Sequence, residues 1–387
     1  MGSRPLGYCA SQVDSPNTGV REQNLLSLSY GNIIQKDIAS SDGLLPESFE
    51  TYNVVEPGDT VLRLTDLQND QRSLRVGFVK ERGIITSAYV TLRPHNDVDP
   101  RFFSYVLKSM DFCKDFYALG AGVRQSLKFD ELKRVQIHLP NLVTQQAIAN
   151  FLDAETARFS ALIASKRKLL TLLEERLETL LQTIPANCNN RVSIRRLFKV
   201  VGGSTPSADP ANWDGDVLWA TPSDLAAVNG SLLHTTSRKI SVNGLSEARS
   251  LVPAGSLLVS KRAPIGYVAE TSDWTSFSQG SCGLVPVGTI DVRFFRYQLR
   301  GMKDFLGSLG LGSTFMEISS ENLASTKVAM PLLETQQAVA NDLDRVMQFH
   351  ARITGVIHQQ LNKIEELCRA LITAAVSGEF EIPEAAA

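Results

Sequence analysis

The chain contains the stretch Leu139-Pro-Asn-Leu-Val-Thr-Gln-Gln-Ala-Ile-Ala-Asn-Phe-Leu-Asp153 and repeats it as Met330-Pro-Leu-Leu-Glu-Thr-Gln-Gln-Ala-Val-Ala-Asn-Asp-Leu-Asp344. A second pair of similar stretches lies upstream, at residues 99–107 (DPRFFSYVL) and 291–299 (DVRFFRYQL). The order and spacing of the two pairs agree, which indicates a tandem duplication. A repeat this long predicts two large similar units rather than a solenoid of many short ones.

Each copy of the first stretch opens a long amphipathic segment, 140–187 in the first half and 331–387 in the second. Apolar residues recur there three and four positions apart over several heptads, which predicts coiled-coil helices of roughly 40 residues. We expect the two helices to pair with each other in antiparallel orientation. The predicted seam consists of Ile148, Leu152, Phe159, Leu162, Leu169, Leu173, Leu177, Leu180 and Ile184 in the first helix, and Val339, Leu343, Val346, Ile353, Ile357, Leu361, Ile364, Leu367, Leu371 and Ala375 in the second.

The ends of these helices carry recognisable signals. Thr144 and Thr335 follow a proline by four residues, and we expect them to be N-caps. Pro185 is expected to end the first helix, because a proline cannot continue it, and Gly378 to cap the second.

The globular parts, 1–139 and 188–330, are rich in short β-like runs separated by Gly, Pro, Asn and Asp. Near the end of each part, the Arg-Phe-Phe segment is expected to form a short amphipathic helix. The sequence therefore predicts an α+β fold. Two similar domains are separated by two long antiparallel coiled-coil helices, with an internal pseudo-twofold repeat.

Composition restricts the class of protein. The chain has 387 residues, is 43% hydrophobic and carries a net charge of −2, so it can bury more than one core and is not a uniformly basic nucleic-acid binder. Its five cysteines never form a C-x-x-C pair, and its five histidines show no metal-ligand spacing, so we expect no metal site. No apolar run approaches the ~20 residues of a membrane helix, and we expect a cytoplasmic protein with no membrane partner.

The second globular part carries a specific string. It reads Gly202-Gly-Ser-Thr-Pro206, then Trp213-x-Gly-x-Val-Leu-Trp219, and the chain nears its end with Leu371-Ile-Thr-Ala-Ala-Val-Ser-Gly378. Together with the duplicated helix entries, this string resembles the specificity subunit of type I restriction–modification systems, over essentially the whole chain. The first half lacks the Gly-Gly-Ser-Thr-Pro string and begins abruptly, so we expect at most a short opening strand to be absent from it.

The resemblance implies two target-recognition domains, 1–139 and 188–330, each followed by a spacer helix, 140–187 and 331–387. It implies a non-catalytic subunit that reads a split, asymmetric target in double-stranded DNA for defence against foreign DNA. The expected partners are two methyltransferase subunits and, optionally, restriction or translocase subunits. No cofactor is expected on this chain, and S-adenosylmethionine and ATP are expected only on the partner subunits.

Two other functions remain open. A coiled-coil adaptor or scaffold of a multi-protein assembly would need the helices but no DNA specificity of its own. A standalone methyltransferase would need an Asn-Pro-Pro-Tyr or Asp-Pro-Pro-Tyr tetrapeptide, and the chain contains neither this motif nor a phosphate-binding loop.

Loops that follow β runs carry polar side chains with paired donors and acceptors, and we expect these to contact DNA, because base edges and phosphates are read by Arg, Lys, Asn, Gln, Ser and Thr. In the first domain they are Ser29, Tyr30, Asn32, Arg63, Thr65, Gln68, Asn69, Arg72, Ser87 and Tyr89. In the second domain they are Thr221, Ser223, Asp224, Ser260, Lys261, Arg262, Gln279 and Ser281. For each loop the alternative is an ordinary hydrophilic surface. Trp213 and Trp219 are interpreted as core residues.

Overall fold

The computed structural model describes residues 2–37, 48–67, 74–119, 126–184, 188–262, 264–312 and 316–380. The chain divides into two compact units. The first comprises residues 1–166 and 358–387, and the second comprises residues 167–357. Both long helices cross this division, so each unit contains one globular domain and one half of each long helix.

The described part of the first globular domain contains short strands and three helices. Its strands are β1 (Gly2–Pro5), β2 (Ala10–Gln12), β3 (Leu26–Ser29), β4 (Asn32–Gln35), β5 (Asn53–Val55), β6 (Thr60–Leu62), β7 (Val76–Phe78), β8 (Gly83–Ile85), β9 (Val90–Pro94) and β10 (Gln136–Leu139). Its helices are α1 (Pro100–Phe112), α2 (Asp115–Leu119) and α3 (Phe129–Leu132).

The first long helix, α4 (Leu142–Thr183), leads to the second globular domain. The strands of that domain are β11 (Arg191–Ser193), β12 (Phe198–Gly202), β13 (Trp213–Ala220), β14 (Ser231–Leu233), β15 (Arg238–Ile240), β16 (Leu257–Ser260), β17 (Val268–Thr271), β18 (Thr275–Phe277), β19 (Ser281–Pro286) and β20 (Lys327–Ala329). Its helices are α5 (Pro222–Ala227), α6 (Val242–Ala248), α7 (Val292–Gly301), α8 (Lys303–Ser308) and α9 (Ser320–Ser325), and the chain continues into the second long helix, α10 (Leu333–Ser377).

The duplication is visible in the strand order. The main sheet of the first domain runs β2-β9-β6-β7, and that of the second runs β12-β19-β16-β17 with β14 added at its edge. The strand next to each long helix also pairs in the same way, β1 with β10 and β11 with β20, both antiparallel. The predicted α+β fold and internal repeat are therefore confirmed.

Each domain packs its Arg-Phe-Phe helix against its main sheet. In the first unit Phe102 and Phe103 of α1 lie fully buried among residues of β6, β7 and β9, and in the second unit Phe294 and Phe295 of α7 occupy the same place. Asp99 and Asp291 are the N-caps: the Asp99 side chain accepts from the Arg101 and Phe102 amides, and the Asp291 side chain accepts from the Arg293 amide. The predicted short amphipathic helix is thus present in both copies.

The two long helices have 42 and 45 residues. The predicted N-caps of both helices are wrong. Asn141 accepts the hydrogen bond from the Thr144 amide and caps α4, so Thr144 is not the N-cap, and α10 begins two residues before Thr335. Gly378 follows the last residue of α10 with φ of +81°, which is the left-handed conformation expected at such a cap. Pro185 lies outside the described residues.

Within each unit the two helix halves run antiparallel. In the first unit Leu152 shares a core with Ile372, and the Lys166 ammonium donates to the Gln360 side chain at 2.7 Å. In the second unit, Leu177 and Leu181 share a core with Leu343. Residues farther along one helix therefore face earlier residues of the other, as the apolar pattern predicted.

The predicted seam is wrong in part. Leu162, Leu169, Leu180, Val346 and Leu367 are exposed. Two residues outside the predicted seam, Leu181 and Ile372, are buried. A strict seven-residue repeat drifts by about 20° per heptad on a straight helix, so a stripe read from sequence leaves the contact after a few turns. The globular domains also cover helix positions that a two-helix seam does not include.

Candidate nucleic-acid interface and the domain–helix joints

In each unit, the stretch that opens the long helix contacts the Arg-Phe-Phe stretch of the same unit. In the first unit the Gln145 side chain of α4 accepts from the Asp99 amide at 2.8 Å and donates to the Pro140 carbonyl at 2.8 Å. In the second unit Gln336 of α10 accepts from the Asp291 amide at 3.0 Å and donates to the Pro331 carbonyl at 2.9 Å. A buried glutamine therefore ties the cap of each Arg-Phe-Phe helix to the start of each long helix.

One carboxylate on each long helix completes the contact. Asp153 accepts from Arg101 and from the Tyr105 hydroxyl, both at 2.8 Å. Asp344 accepts from Arg293 at 2.7 Å and from the Tyr297 hydroxyl at 2.5 Å. We call these contacts, with the glutamines, the first joint (Asp99, Arg101, Tyr105, Gln145, Asp153) and the second joint (Asp291, Arg293, Tyr297, Gln336, Asp344).

Burial shapes the ionisation of the joints. Desolvation, followed by the hydrogen bond to Asp344, raises the pKa of Tyr297 to about 12. Desolvation likewise raises the pKa of Tyr105. Both phenols therefore stay protonated and act as donors at neutral pH. The carboxylates of Asp291 and Asp344 raise the pKa of Arg293, which keeps its charge.

The second joint is extended by two further arginines of α7. The side chain of Arg296 is 7% exposed and pairs with Glu270 at 2.6 Å. That of Arg300 is 5% exposed and contacts Glu178 at 2.7 Å and Glu174 at 3.0 Å. Both guanidinium groups are thus neutralised by carboxylates from β17 or the first long helix, as a buried charge requires.

The structure brings together the second-domain candidates. Ser260 and Ser281 are register partners on β16 and β19, and the Lys261 amide donates to the Gly280 carbonyl at 2.7 Å. The turn around exposed Gln279 is also joined to the end of β13, where the Ser278 amide donates to Ala220 at 2.9 Å. The ends of β13 and β16 and the turn before β19 therefore form one edge of this domain, which we call the second-domain edge (Thr221, Ser223, Asp224, Ser260, Lys261, Arg262, Gln279, Ser281).

Several members of the second-domain edge have structural partners. Thr221 caps α5 and shares reciprocal hydrogen bonds with Asp224. Burial opposes ionisation of Asp224, but hydrogen bonds from Thr221 and from the Ser237 amide outweigh it and lower its pKa. Ser260 is fully buried, accepts from the Tyr267 amide and donates to the Pro264 carbonyl. These side chains hold the loops, while Ser223 and Gln279 are exposed and Ser281 is buried.

The two cations of this edge share one carboxylate. Arg262 donates to Glu317 at 2.8 Å, and the Lys261 ammonium lies 3.6 Å from Glu317 and 3.3 Å from the Ser320 hydroxyl. The hydrogen bond from Arg262 is the main cause that lowers the pKa of Glu317. Arg262 is exposed and Lys261 mostly buried, so Arg262 is the cation better placed to reach a phosphate.

In the first domain, Ser29, Tyr30 and Asn32 lie on the hairpin β3–β4. Tyr30 and Gly31 form its two-residue turn with φ of +46° and +77°, the geometry that matches the twist of paired strands. Tyr30 is 77% exposed at the tip. Tyr89 packs partly buried against the same small core as this hairpin, and Ser87 is exposed in the preceding turn.

The loop after β6 is organised by an arginine that the sequence analysis missed. Arg75 is fully buried and donates to the carbonyls of Arg63, Thr65 and Asp66 at 2.9 to 3.1 Å. Arg63 is partly buried and Thr65 is exposed. The remaining candidates of this loop, Gln68, Asn69 and Arg72, lie outside the described residues. Nothing in the local sequence distinguishes Arg75 from Arg63, which is only partly buried.

The Gly-Gly-Ser-Thr-Pro string packs against the tryptophans. The Trp219 indole donates to the Ser204 carbonyl at 3.3 Å and the Trp213 indole to the Ser207 carbonyl at 2.9 Å. A Cβ on Gly203 would lie 1.9 Å from the Ser278 carbonyl oxygen, so only glycine fits there. Arg238 stacks 3.4 Å from the centre of the Trp213 ring. The string therefore packs against Ser278, next to Gln279 of the second-domain edge.

In the ranges that the structure describes, no group of three or more His, Cys, Asp or Glu side chains is placed to hold a metal ion. No helix of the described chain is both long enough and apolar enough to cross a membrane.

Comparison with known proteins assigns the family. The family model described as "Type I restriction modification DNA specificity domain" matches residues 75–172 and 189–366, which together make up most of the chain. The chain belongs to this family. The resemblance inferred from the repeated stretches and the Gly-Gly-Ser-Thr-Pro string is therefore confirmed, and both matches include a joint.

Two curated relatives are named as specificity subunits of type I restriction enzymes. The chain is 31% identical over 154 residues to the type I restriction enzyme MjaIX specificity subunit of Methanocaldococcus jannaschii, covering 39% of this chain and 36% of that protein. It is 22% identical over 317 residues to the putative MjaX specificity subunit of the same organism, covering 75% of this chain and 71% of that protein. The MjaIX match thus spans about a third of that relative's length.

Solved structures share the fold. A chain from a study of complex assembly and conformational transition in the type I restriction–modification system superposes with a TM-score of 0.76 at 17% identity, with 98% of both chains covered. The HsdS subunit from Thermoanaerobacter tengcongensis gives a TM-score of 0.55 at 16% identity, covering 98% of this chain and 97% of that one.

Proposed function

We propose that this chain is the DNA-recognition subunit of a type I restriction–modification complex and reads a bipartite, asymmetric target. The observation that supports this most directly is the repeated joint. Two domains with the same sheet order are each seated on the helix pair through an equivalent buried glutamine and carboxylate. A protein that reads two half-sites needs two readers held in equivalent ways.

The readers differ where contact with bases is proposed. The second-domain edge offers exposed Ser223, Arg262 and Gln279, and the first domain offers the hairpin tip at Tyr30 and the exposed Thr65. Unlike side chains on similar scaffolds suit two unlike half-sites, because direct readout depends on the donors and acceptors presented in the groove.

Under this proposal the chain is not itself a catalyst. It recruits two methyltransferase subunits, which bind S-adenosylmethionine, and optionally restriction or translocase subunits, which use ATP. The complex acts on cytoplasmic DNA. The curated relatives support the proposal through their shared name as specificity subunits.

The decisive experiment changes the length of the helix pair without breaking its register. Glu174 faces His350, and Lys166 faces Gln360, so removing residues 165–171 and 353–359 together deletes one heptad from both helices at matching heights. Seven residues shorten a helix by about 10 Å, or about three base pairs of duplex. The variant would be expressed with its methyltransferase subunits in a methylation-free host, followed by methylome sequencing.

We expect both half-site sequences to be kept and the gap between them to change. Deleting the heptad from the first helix alone is the matched control, since it removes the same residues but mispairs the seam and should abolish modification. An unchanged gap in the double deletion would contradict the spacer role, and an absence of any bipartite motif in the wild type would contradict the function itself.

A second experiment tests the second-domain edge. Arg262→Ala should weaken binding to duplex DNA and reduce the slope of log affinity against log salt by about one if the side chain reaches a phosphate. Glu317→Gln should have the opposite effect, because it releases two cations from their carboxylate. Arg345→Ala, which removes an exposed charge from α10, is the control. Equal salt slopes in all three variants would place the DNA elsewhere.

A further inference from the structure

The two joints differ at two equivalent positions. The repeat aligns Ser104 with Arg296 and Lys108 with Arg300, since residues 99–107 match residues 291–299. In the second unit both arginines are neutralised by carboxylates. In the first unit the positions hold a small hydroxyl and a lysine, so the same place in the fold is emptier and differently charged.

The carboxylates have changed as well. Glu270 on β17 is the register partner of Leu257, the first residue of β16. In the first unit, Phe78 on β7 is the register partner of Thr60, the first residue of β6, so Phe78 occupies the position of Glu270. Glu178 aligns, at the offset of the long-helix repeat, with Arg369, whose guanidinium lies over the Phe112 ring at 5.7 Å. Two of the carboxylates that neutralise the second unit therefore have no acidic counterpart in the first.

A cavity of about 810 Å³ lies at this place in the first unit. Its lining includes Ser104, Lys108, Lys80, Tyr105 and Cys368. Ser104 is 2% exposed, and its hydroxyl has no hydrogen-bond partner among the described residues. Ser104 and Lys108 are four residues apart on α1 and so lie on one face of that helix. A ligand that enters this cavity beside the amine would supply the hydrogen-bond partner that the buried hydroxyl needs.

The charged side chains that line this cavity are Lys80, Arg101 and Lys108 against Asp111 and Asp153, so the lining has one positive charge more than it has negative charges. Burial lowers the pKa of Lys108, and the nearby charge of Lys80 lowers it further, while Asp153 acts in the opposite direction. Asp153 already accepts from Arg101 and Tyr105. Neither lysine forms an ion pair with a carboxylate in the described ranges. An anion placed between the two ammonium groups would relieve their repulsion.

We propose that this cavity, formed by Ser104, Lys108 and Lys80, binds a phosphate group. Phosphate oxygens accept hydrogen bonds from a hydroxyl and from ammonium groups, and such charge-assisted bonds are stronger than neutral ones. The cavity exceeds the size of one phosphate, so the group enters as part of a larger molecule. That molecule is either duplex DNA, through its backbone, or a free phosphorylated compound. The proposal does not rest on the DNA-recognition function.

The test measures lysine acylation on the full-length chain, by quantitative peptide mass spectrometry, with and without inorganic phosphate at constant ionic strength. Constant ionic strength matters because salt screens exposed charges. We expect phosphate to slow the acylation of Lys108 and Lys80 several-fold. Lys363, which is exposed on α10 and pairs with Glu366, is the internal control and should react at an unchanged rate.

Two variants separate a built site from general screening. In Lys108→Gln, the phosphate concentration needed for half-maximal protection of Lys80 should rise about tenfold, as expected for loss of a charge-assisted contact. The double substitution Ser104→Arg with Phe78→Glu transplants the ion pair of the second unit into the cavity and should abolish protection. Lys363→Gln removes one charge elsewhere in the same unit and should leave protection intact.

Duplex DNA in a parallel arm identifies the source of the phosphate. Protection of Lys108 by DNA, lost in the double variant, assigns the site to the DNA backbone. Protection by inorganic phosphate but not by DNA assigns it to a free phosphorylated compound. If neither probe protects Lys108, the proposal is wrong. It is also wrong if Lys80 is still protected at an unchanged phosphate concentration in Lys108→Gln and Lys108 is still protected in the folded double variant.

Discussion

The first and second joints contain the same residue types but differ in the charged side chains that surround them. Both use a buried glutamine and a helix carboxylate to seat an Arg-Phe-Phe helix on a long helix. Around this shared core, the second joint buries Arg296 and Arg300 with their own carboxylates, whereas the first leaves Ser104 and Lys108 beside a cavity. The glutamine and carboxylate contacts that hold each domain on its long helix are therefore common to both copies, whereas the charged side chains around them differ.

The largest effect is expected from Arg296→Met. It leaves Glu270 buried without its cation, and breaking a buried pair costs about 3–5 kcal/mol of unfolding free energy. All three tryptophans, at 213, 219 and 274, lie in the second unit, so their fluorescence during urea unfolding reports this unit. Arg345→Met, which breaks an exposed pair on α10, is the control and should change the free energy by less than about 0.5 kcal/mol.

The same variant has a defined pH dependence. Burial raises the pKa of Glu270 above its ordinary value of 4.5, although Arg296 acts to lower it. An acid whose pKa is raised by folding binds its proton more tightly in the folded state, so its contribution to stability falls as the pH rises. Removing Arg296 raises the pKa of Glu270 further, so the variant should lose more unfolding free energy at pH 8 than at pH 5. A deficit independent of pH would show that lost packing, not the stranded carboxylate, is responsible.

Gln145→Ala and Gln336→Ala should have equal effects, because the shared core is alike. Each glutamine is buried and bonds one helix-cap amide and the carbonyl of the proline before its long helix, and its loss leaves these groups without a partner, at about 1–3 kcal/mol. Gln145 adds a longer contact of 3.3 Å to the Asp97 carbonyl. Hydrogen–deuterium exchange of the first turns of α1 and α7 measures each joint separately. Gln→Glu variants keep the shape but replace the donating NH2 group by an acceptor oxygen, so they remove the bond to the proline carbonyl and serve as the matched comparison. Markedly unequal losses would mean that the joints are not equivalent.

Asp344→Asn should be more harmful than Asp153→Asn. Asp344 accepts from Arg293, Tyr297 and Arg296, whereas Asp153 accepts from one arginine and one tyrosine. Because both carboxylates are partly exposed, solvent screening limits the loss to about 2 and about 1 kcal/mol respectively. The exchange measurement used for the glutamines applies here. The reverse order would indicate that the extra arginine does not strengthen the second joint.

The smallest effect belongs to Ser104→Ala. Its hydroxyl has no hydrogen-bond partner among the described residues, so its removal should change stability by less than about 0.5 kcal/mol or be slightly stabilising. Exchange in α1 provides the measurement. A loss comparable with that of Gln145→Ala would mean that the hydroxyl has a structural partner.

The duplicated stretches predicted the fold well because they are the contact surfaces themselves. Residues 139–153 and 99–107 form the two sides of the first joint, and their copies form the second. Repetition of both sides at one offset thus signals that they meet in space. The helix ends were less predictable, since Asn141 and Thr144 are both good capping residues and only the backbone geometry selects Asn141.

The candidate site was predicted less completely. Loop position and residue type located the second-domain edge, but they did not reveal that Thr221, Asp224 and Ser260 hold the loops through their own hydrogen bonds. Buried Arg75 was missed because a fully buried arginine has the same sequence appearance as an exposed one. DNA contact by each of the candidate residues remains a prediction.

The amino-acid sequence by itself determined the duplication, the α+β class, the two long helices and the family, because these depend on periodicity and on repeated motifs along the chain. Tertiary structure alone decided which charges are neutralised. Arg300 and Lys108 occupy equivalent positions in sequence, and both line cavities, yet Arg300 pairs with two carboxylates of the first long helix, whereas Lys108 has no ion pair among the described residues. The free energy of a buried charge depends on the groups that folding brings within a few ångströms, and those groups are far apart in the chain.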